Sequence, residues 1–174
     1  MSFTDREFRD ALGQFATGVC VITAEVDGVL LGSTVSSFNS VSLAPPLILF
    51  SLARTAQTLD LWLKATHFGV TVLAESQTDL SNRFARGGAD KWTGLSPLRG
   101  KSGVPLLRGG LASFECETYA TYEGGDHEII LGKVLAFSRT STTPLLFHGG
   151  RYRRLHSDEV IETPPDTEVW LHGW

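Results

Sequence analysis

Gly32-Ser33-Thr34-Val35-Ser36-Ser37-Phe38-Asn39-Ser40-Val41-Ser42-Leu43-Ala44-Pro45-Pro46-Leu47 lies between two strongly apolar runs, residues 19–26 and 47–52. The stretch carries six hydroxyl side chains and one amide, whereas a connection between two strands usually needs only about 2–5 residues. Neutral donors and acceptors of this kind suit a polar, planar or phosphorylated ligand. An exposed Ser/Thr edge strand that ends at Pro45-Pro46 explains the pattern equally well, so the stretch alone leaves both interpretations open.

The composition indicates one globular domain and excludes several classes of protein. A chain of 174 residues with 42% hydrophobic content can bury a full core. Its net charge of −4 predicts no attraction to nucleic acid or to anionic membranes, and no apolar run approaches the ~20 residues of a membrane helix. The N-terminus lacks a basic-then-apolar signal pattern, and the only cysteines, Cys20 and Cys116, stand far apart in apolar runs. We therefore expect a cytoplasmic protein with two buried thiols.

The N-terminal segment predicts an amphipathic helix. Thr4-Asp5-Arg6-Glu7 is a capping box, and Phe3 and Phe8 stand at hydrophobic-staple positions around it. The apolar residues repeat at helical spacing: Phe8, Ala11, Leu12 and Phe15. We expect Gly18 to end this helix.

The rest of the chain predicts a mainly β protein with a few short helices. The predicted strands are 19–26, 29–32 with its extension, 47–52, 68–73, 110–123, 128–137 and 145–148, and the predicted helices are 58–64 and 76–85. Residues 47–52 are apolar throughout, so we expect a central strand covered on both faces, whereas 110–123 alternates and predicts one solvent-facing side. Gly132 indicates a bulge or a barrel bend, and residues 86–108 are predicted to form a long surface loop. Six or seven mostly antiparallel strands favour a β-barrel over a doubly wound sheet. We predict one domain over residues 1–155 and a C-terminal tail over 156–174.

Few residues outside the opening stretch suggest chemistry. The dinucleotide fingerprint, the phosphate loop, the zinc-protease motif and the nucleophile elbow are all absent, and the five histidines show no metal spacing. Two features remain, Asp126-His127 at a Gly-Gly turn and the run Phe147-His148-Gly149-Gly150-Arg151-Tyr152. Each is also explained as a solvated turn. The sequence therefore predicts no metal site and no catalytic acid, base or nucleophile.

Five motifs, in this order along the chain, resemble the flavin reductase-like family. They are Phe15-Ala16-Thr17-Gly18-Val19-Cys20-Val21-Ile22-Thr23, Ser37-Phe38-Asn39-Ser40-Val41-Ser42-Leu43-Ala44-Pro45-Pro46-Leu47, Phe68-Gly69-Val70-Thr71-Val72-Leu73 with Gln77 and Leu80-Ser81-Asn82-Arg83-Phe84-Ala85, Gly125-Asp126-His127, and Pro144-Leu145-Leu146-Phe147-His148-Gly149-Gly150-Arg151-Tyr152. The members of this family are short-chain NAD(P)H:flavin oxidoreductases that serve as reductase components of two-component monooxygenases.

The resemblance implies a split β-barrel of the FMN-binding type, assembled as a homodimer with two sites near the subunit interface. It implies reduction of FAD or FMN by NADH, with NADPH less expected, and delivery of reduced flavin by diffusion to a separate monooxygenase. The implied positions are Thr34, Val35, Ser36 and Ser37 on the flavin ring, Ser51, Leu52, Gln57 and Thr58 along the ribityl chain, Arg83 and Phe84 at the phosphate, and His127, with His148, Arg151 and Tyr152 nearby, at the nicotinamide.

Because the cofactors carry the hydride chemistry, the resemblance requires no strong acid or base from the protein, and His127 is expected to orient the nicotinamide. Two other functions remain open at this point. One is a flavin-binding module without reductase activity, and the other is an oxidase on a related split barrel that acts on another small substrate.

Overall fold

The computed structural model describes residues 3–88 and 91–156, and most of these residues belong to β-strands. The helices are α1 (Asp5–Leu12), α2 (Leu59–Trp62) and α3 (Thr78–Ala85), with a 3-10 turn at Glu75–Gln77. The strands are β1 (Thr17–Gly18), β2 (Cys20–Val26), β3 (Val29–Val35), β4 (Asn39–Leu43), β5 (Pro46–Ala53), β6 (His67–Val72), β7 (Leu98–Arg99), β8 (Pro105–Leu106), β9 (Ala112–Gly124), β10 (His127–Arg139), β11 (Leu146–His148) and β12 (Arg151–Arg153). The prediction of a mainly β protein with a few short helices is confirmed.

Seven strands form one antiparallel sheet in the order β3-β2-β6-β9-β10-β5-β4, and two small sheets join β1-β11-β12 and β7-β8. The β2–β3 hairpin turns at Asp27 and Gly28, whose φ angles are 52° and 78°. Positive φ at both central residues is what a two-residue hairpin with the twist of its strands requires. The predicted bulge at Gly132 is also confirmed, because the β9–β10 register shifts between Leu131 and Gly132.

Helix α1 begins as predicted but ends earlier and covers none of the core. Its capping box is present, and the Phe3 and Phe8 rings lie 5.6 Å apart. The helix ends at Leu12, because Thr17 and Gly18 are extended and pair with β11. The prediction that Gly18 ends the helix is therefore wrong. No residue of α1 is buried in this chain, so its apolar side faces solvent.

Strand β5 is covered on one face only, which corrects the prediction of a strand covered on both faces. Ile48, Phe50 and Leu52 are buried in the main core cluster, whereas the alternate residues are half-buried or exposed. Because the residues on its outer face keep part of their surface exposed, no second layer within the described residues fully covers that face.

The side of β9 that was predicted to face solvent is buried at one position, Glu115. The Glu115 side chain accepts hydrogen bonds from the Lys101 N–H at 3.0 Å, the Ser102 N–H at 2.7 Å and the Ser102 hydroxyl at 2.7 Å, and the residue is 7% exposed. Burial acts to raise the pKa of Glu115, but these hydrogen bonds outweigh it and hold the pKa below its ordinary value. The segment 86–108, predicted as a long surface loop, thus packs on the sheet in part.

Both cysteines are free and buried, as predicted. Burial raises the pKa of each thiol to about 12. None of the helices within residues 3–88 and 91–156 is long and apolar enough to cross a membrane. The predicted C-terminal tail, apart from His156, lies outside the described residues.

Candidate functional site

A cavity of about 860 Å³ lies between β3 and the turn that follows β5, within the size range of small-molecule sites. Its lining comprises residues 28–33, Leu52, 55–58, Trp62, 85–88, Lys91 and Trp92. The predicted site residues Leu52, Gln57 and Thr58 are among them. The lining contains Lys91 and Arg86 but no carboxylate among the described residues, so the cavity favours an anionic ligand.

Ser37 and Ser51 are joined directly by two hydrogen bonds. The Ser51 N–H donates to Ser37 Oγ at 2.9 Å, and Ser37 Oγ donates to the Ser51 carbonyl at 3.2 Å. The side chain of Ser37 therefore connects the segment between β3 and β4 to β5. Leu52, the next residue along β5, lines the cavity.

A chain of hydrogen bonds connects β3, α3 and β12. Thr34 Oγ1 donates to the Ser81 carbonyl at 2.7 Å, and Ser81 Oγ is hydrogen-bonded to the Tyr152 hydroxyl at 2.8 Å. That hydroxyl also donates to Asn82 Oδ1 at 3.0 Å. The structure thus brings Thr34 and Tyr152 to the same helix, although they are far apart in sequence. Val35 is buried and turned away from solvent.

Arg83 and Phe84 occupy different environments despite being neighbours. The Arg83 guanidinium donates to the Thr93 carbonyl at 3.1 Å and lines a second cavity. The Phe84 ring is fully buried beneath Gly32 and meets Trp92 edge-on, with ring centroids 5.1 Å apart. Phe84 as a whole is 0% exposed, and its carbonyl accepts from Lys91, so neither its ring nor its backbone faces the open cavity in this arrangement.

Lys91 is a site residue that the sequence reasoning missed. Its ammonium group donates to the carbonyl oxygens of Gly32 and Phe84, each at 2.9 Å. Burial lowers the pKa of Lys91. The only signal in the sequence was its place in the Gly-, Lys- and Arg-rich segment 86–108, which identified no single residue.

His127 lies at the end of the long β9–β10 hairpin, opposite Ala53 of β5. Its Nδ1 is hydrogen-bonded to Asp126 Oδ1 at 2.8 Å, and this bond lowers the pKa of Asp126. The Arg54 N–H donates to the Asp126 carbonyl at 2.8 Å, and the Arg54 guanidinium lies 2.7 Å from Glu128. These contacts hold the His127 turn beside the segment 55–58 that lines the cavity.

His148 and Arg151 pair across the β11–β12 turn, where Gly149 and Gly150 have positive φ angles of 59° and 73°. The Gly149 N–H donates to the Gly13 carbonyl at 2.8 Å, so this turn is tied to the end of α1. Neither His148 nor Arg151 lines the cavity, and no group of three or more His, Cys, Asp or Glu in the described part of the chain could hold a metal.

Comparison with known proteins supports the resemblance. A flavin reductase-like domain model matches residues 12–156. The chain is 44% identical over 149 residues to the FMN reductase (NADH) SmoA of Agrobacterium fabrum, which covers 86% of this chain and 85% of that protein. It is 43% identical to the reductase component of the flavin-dependent trigonelline monooxygenase of Acinetobacter baylyi, over 84% of this chain but only 48% of that longer protein.

Solved structures give the same result. The NADH:FAD oxidoreductase SgcE6 of Streptomyces globisporus C-1027, determined with NAD and FAD fragments, is 37% identical with a TM-score of 0.83 over 88% of this chain and 94% of that one. The flavin reductase PheA2 is 35% identical, with a TM-score of 0.81 over 89% and 100% of the two chains. The predicted split-barrel fold is confirmed. This chain belongs to the flavin reductase-like family.

Proposed function

We propose that this chain is an NADH-dependent flavin reductase that reduces FAD or FMN and supplies the reduced flavin to a separate monooxygenase. The observation that carries the proposal is the cavity beside β3, which combines neutral donors with cations and lacks a lining carboxylate among the described residues. Family membership and relatives named as flavin reductases support the same activity.

The lining fits a flavin nucleotide by its chemistry. Ser33, Gln57 and Thr58 offer neutral donors and acceptors of the kind that a flavin ring and its ribityl hydroxyls require. The indole of Trp62 offers apolar surface, and Lys91 offers positive charge for a phosphate. We propose that Thr34, Ser36, Ser37 and the backbone of Val35 line the ring, with Ser51 and Leu52 along the ribityl chain and Arg83, with Phe84 beneath it, near the phosphate.

When bound, the nicotinamide supplies a hydride that the flavin accepts at N5. The protein's task is to hold both rings in contact and to keep water away, because the reacting atoms must approach to about 3–3.5 Å. Ser37 is immobilised by its two bonds to Ser51, and Thr34 by its bond to the Ser81 carbonyl, so the end of β3 and the segment that follows it form a preorganised surface. None of these three hydrogen bonds requires a protein group to gain or lose a proton during the reaction.

We propose that His127 orients the nicotinamide rather than donating a proton. Asp126 engages one of the two ring nitrogens of His127 through the 2.8 Å hydrogen bond to Nδ1, which leaves the other nitrogen, Nε2, for a ligand. His148, Arg151 and Tyr152 are proposed to lie near the rest of the nicotinamide cofactor.

The activity is tested by mixing the purified protein with NADH and either FAD or FMN and following absorbance at 340 nm. We expect rapid, flavin-dependent loss of NADH, and slower loss with NADPH. Stoichiometric flavin binding without turnover would instead identify a flavin-binding module.

The role of His127 is tested by His127→Ala. We expect the apparent KM for NADH to rise by about tenfold, with a smaller change in the KM for flavin, since only one cofactor contact is removed. His67→Ala, at an exposed histidine at the start of β6, is the matched control and should leave both constants unchanged. A rise confined to the flavin KM would reject the role.

We further propose that the protein is a homodimer. Exposed apolar residues lie along a groove of about 620 Å³ beside β4 and β10, where Leu43 is 74% and Phe137 72% exposed. Apolar surface of this kind marks interaction sites in soluble proteins. Sedimentation should show a particle of two chains, which Phe137→Glu should dissociate and Leu63→Glu, at another exposed leucine, should not. A wild-type monomer would contradict the proposal.

We also propose a cytoplasmic location and a division into a domain over residues 1–155 and a tail over 156–174. The two unpaired, buried thiols support a reducing compartment, and the family match over residues 12–156 supports the division. Limited proteolysis and fractionation with a cytoplasmic marker test the two statements separately.

A further inference from the structure

Helix α1 has an apolar side that remains largely exposed. Phe8 and Leu12 lie one helical turn apart on this side, and Phe15 follows just beyond the end of the helix. These residues are 52%, 58% and 78% exposed. Asp5 precedes Phe8 by one turn and adds a carboxylate to the same side. A group of exposed apolar side chains of this kind marks an interaction site.

Two observations fix the position of α1 in its own chain. Gly13, the residue after the helix, accepts a hydrogen bond from the Gly149 N–H at 2.8 Å. The pKa of Asp126 is lowered mainly by the hydrogen bond and the charge of His127, with a smaller contribution from the positive charge of Arg9. Arg9 therefore lies near the turn between β9 and β10, which places α1 at this end of the hairpin.

The apolar groove of about 620 Å³ beside β4 and β10, the β4–β10 groove, lies further along the same hairpin. Exposed Leu43 and Phe137 line it, and Lys101 is the charged residue among its described lining. At about 3.3 Å per residue, Phe137 is about 30 Å from His127 along β10. No residue of α1 lines the groove, and an eight-residue helix is only about 12 Å long. The helix of one chain therefore does not fill the groove of the same chain.

The helix side and the groove are complementary in chemistry and in area. Both are mainly apolar, and their charges, Asp5 on the helix and Lys101 at the groove, have opposite signs. Covering the exposed parts of Phe8, Leu12 and Phe15 buries roughly 350 Å², since an aromatic side chain carries about 150–250 Å². With an equal area of groove and two symmetric contacts, the total is roughly 1,400 Å², inside the range of about 1,200–2,000 Å² for stable interfaces.

We propose that α1 of each subunit docks in the β4–β10 groove of a second copy of this chain. Phe8, Leu12 and Phe15 enter the groove, and Asp5 pairs with Lys101 of the partner subunit. Because helix and groove are separate surfaces of one chain, a single two-fold axis makes both contacts at once. The inference rests on the homodimer proposed above and names the segment that covers its groove. It depends on neither flavin binding nor turnover.

Thiol cross-linking tests the contact directly. Leu12→Cys/Leu43→Cys carries one new thiol on the helix and one at the groove, while the native Cys20 and Cys116 are buried. We expect a short bismaleimide to give covalent dimers on a denaturing gel, because the new thiols are close only between subunits. Each single variant is the control and should give few. A double variant that sediments as a dimer but does not cross-link would overturn the proposal.

The dissociation constant of the dimer, from sedimentation, is a second readout. Leu12→Glu should raise it about tenfold or more, because a carboxylate would be buried in an apolar groove. Arg6→Glu is the matched control, since Arg6 lies on the opposite side of the helix from Phe8, and should leave it unchanged. Thermal unfolding of both variants shows that each is folded.

The charge pair is tested separately. Asp5→Asn should weaken the wild-type dimer about twofold to fivefold and leave a Lys101→Met dimer unchanged. Equal effects in both backgrounds would overturn the pairing. A dimer that Phe137→Glu dissociates and Leu12→Glu does not would overturn the docking of α1 and leave the homodimer standing. A wild-type monomer would reject both, whereas absence of NADH oxidation would reject the reductase activity alone.

Discussion

Gly32→Ala is expected to destabilise the protein, because the added methyl group would clash with the buried Phe84 ring beside the cavity. A Cβ at Gly32 would lie 2.3 Å from two carbon atoms of the Phe84 ring. Carbon atoms in contact prefer about 3.5 Å, so the ring would have to retreat by about 1.2 Å. Phe84 is fully buried and packs edge-on against Trp92, so the interior offers no free volume for that movement.

The expected cost follows from two opposing effects. Overpacking a core by one methyl group costs about 1–3 kcal/mol, and often more where the neighbours are rigid. Replacing glycine in a strand regains about 0.5–1 kcal/mol of conformational entropy. Because Phe84 is rigidly packed, the upper part of the overpacking range, about 2–3 kcal/mol, applies, and the net loss is about 1–2.5 kcal/mol, which lowers Tm by about 2–10 °C for a chain of this size.

The assay compares thermal unfolding of Gly32→Ala with that of Gly18→Ala. Gly18 is also a strand glycine, but a Cβ there would meet nothing within 4 Å, so we expect its variant to be as stable as the wild type or slightly more stable. The double variant Gly32→Ala/Phe84→Leu should lose less stability than the sum of the losses of the two single variants, because the smaller leucine side chain leaves room for the added methyl group. Equal Tm values for the two alanine variants would refute the reasoning.

Two further changes test contacts outside the cavity. Glu115→Gln should cost about 1–3 kcal/mol at neutral pH, since hydrogen bonds to a buried carboxylate are lost. The lowered pKa of Glu115 means that this contribution is present above its unfolded pKa and is lost as the pH falls through the folded value. The difference in free energy of unfolding between the wild type and Glu115→Gln, measured in urea, should therefore become smaller at acidic pH. A difference that does not change with pH would contradict this role of Glu115. Tyr152→Phe should cost about 1–2 kcal/mol, because it leaves the buried Ser81 hydroxyl without a partner and removes the bond to Asn82. Tyr119→Phe, at an exposed tyrosine, should leave the free energy of unfolding unchanged. Equal losses of stability in the two variants would contradict a stabilising role for the hydrogen bonds of Tyr152.

Local patterns in the sequence were sufficient for most of the β-structure. The Asp27-Gly28 hairpin depends on two adjacent residues, so turn chemistry alone predicted it, and a glycine within a strand pattern was enough to indicate the irregularity at Gly132. The end of α1 was misplaced because β11, more than a hundred residues later, pairs with Thr17 and Gly18. Pairing with a distant segment leaves no trace in a local repeat.

The candidate site shows the same division. Residue types alone made the polar stretch and the Asp126-His127 turn candidates, and Arg83 became one only through the resemblance to the family. Lys91 was missed, because its importance comes from two carbonyl oxygens on β3 and α3 that the fold brings to it. The burial of the Phe84 ring was also beyond the sequence, since an aromatic residue in a short helix can face either way.

The reactivity of the two buried thiols can be used to measure unfolding of the protein. With a pKa of about 12, each cysteine is a thiolate in only about one molecule in ten thousand at pH 8, and both side chains are shielded from reagents. A disulfide reagent should therefore label native chains only when the main core opens. Because Cys20 and Cys116 both lie in that core, on β2 and β9, the labelling rate measures the opening of the sheet to which β3 also belongs. Added flavin that binds the closed form should slow this labelling in proportion to its occupancy, which gives a binding assay that uses neither light emission nor turnover.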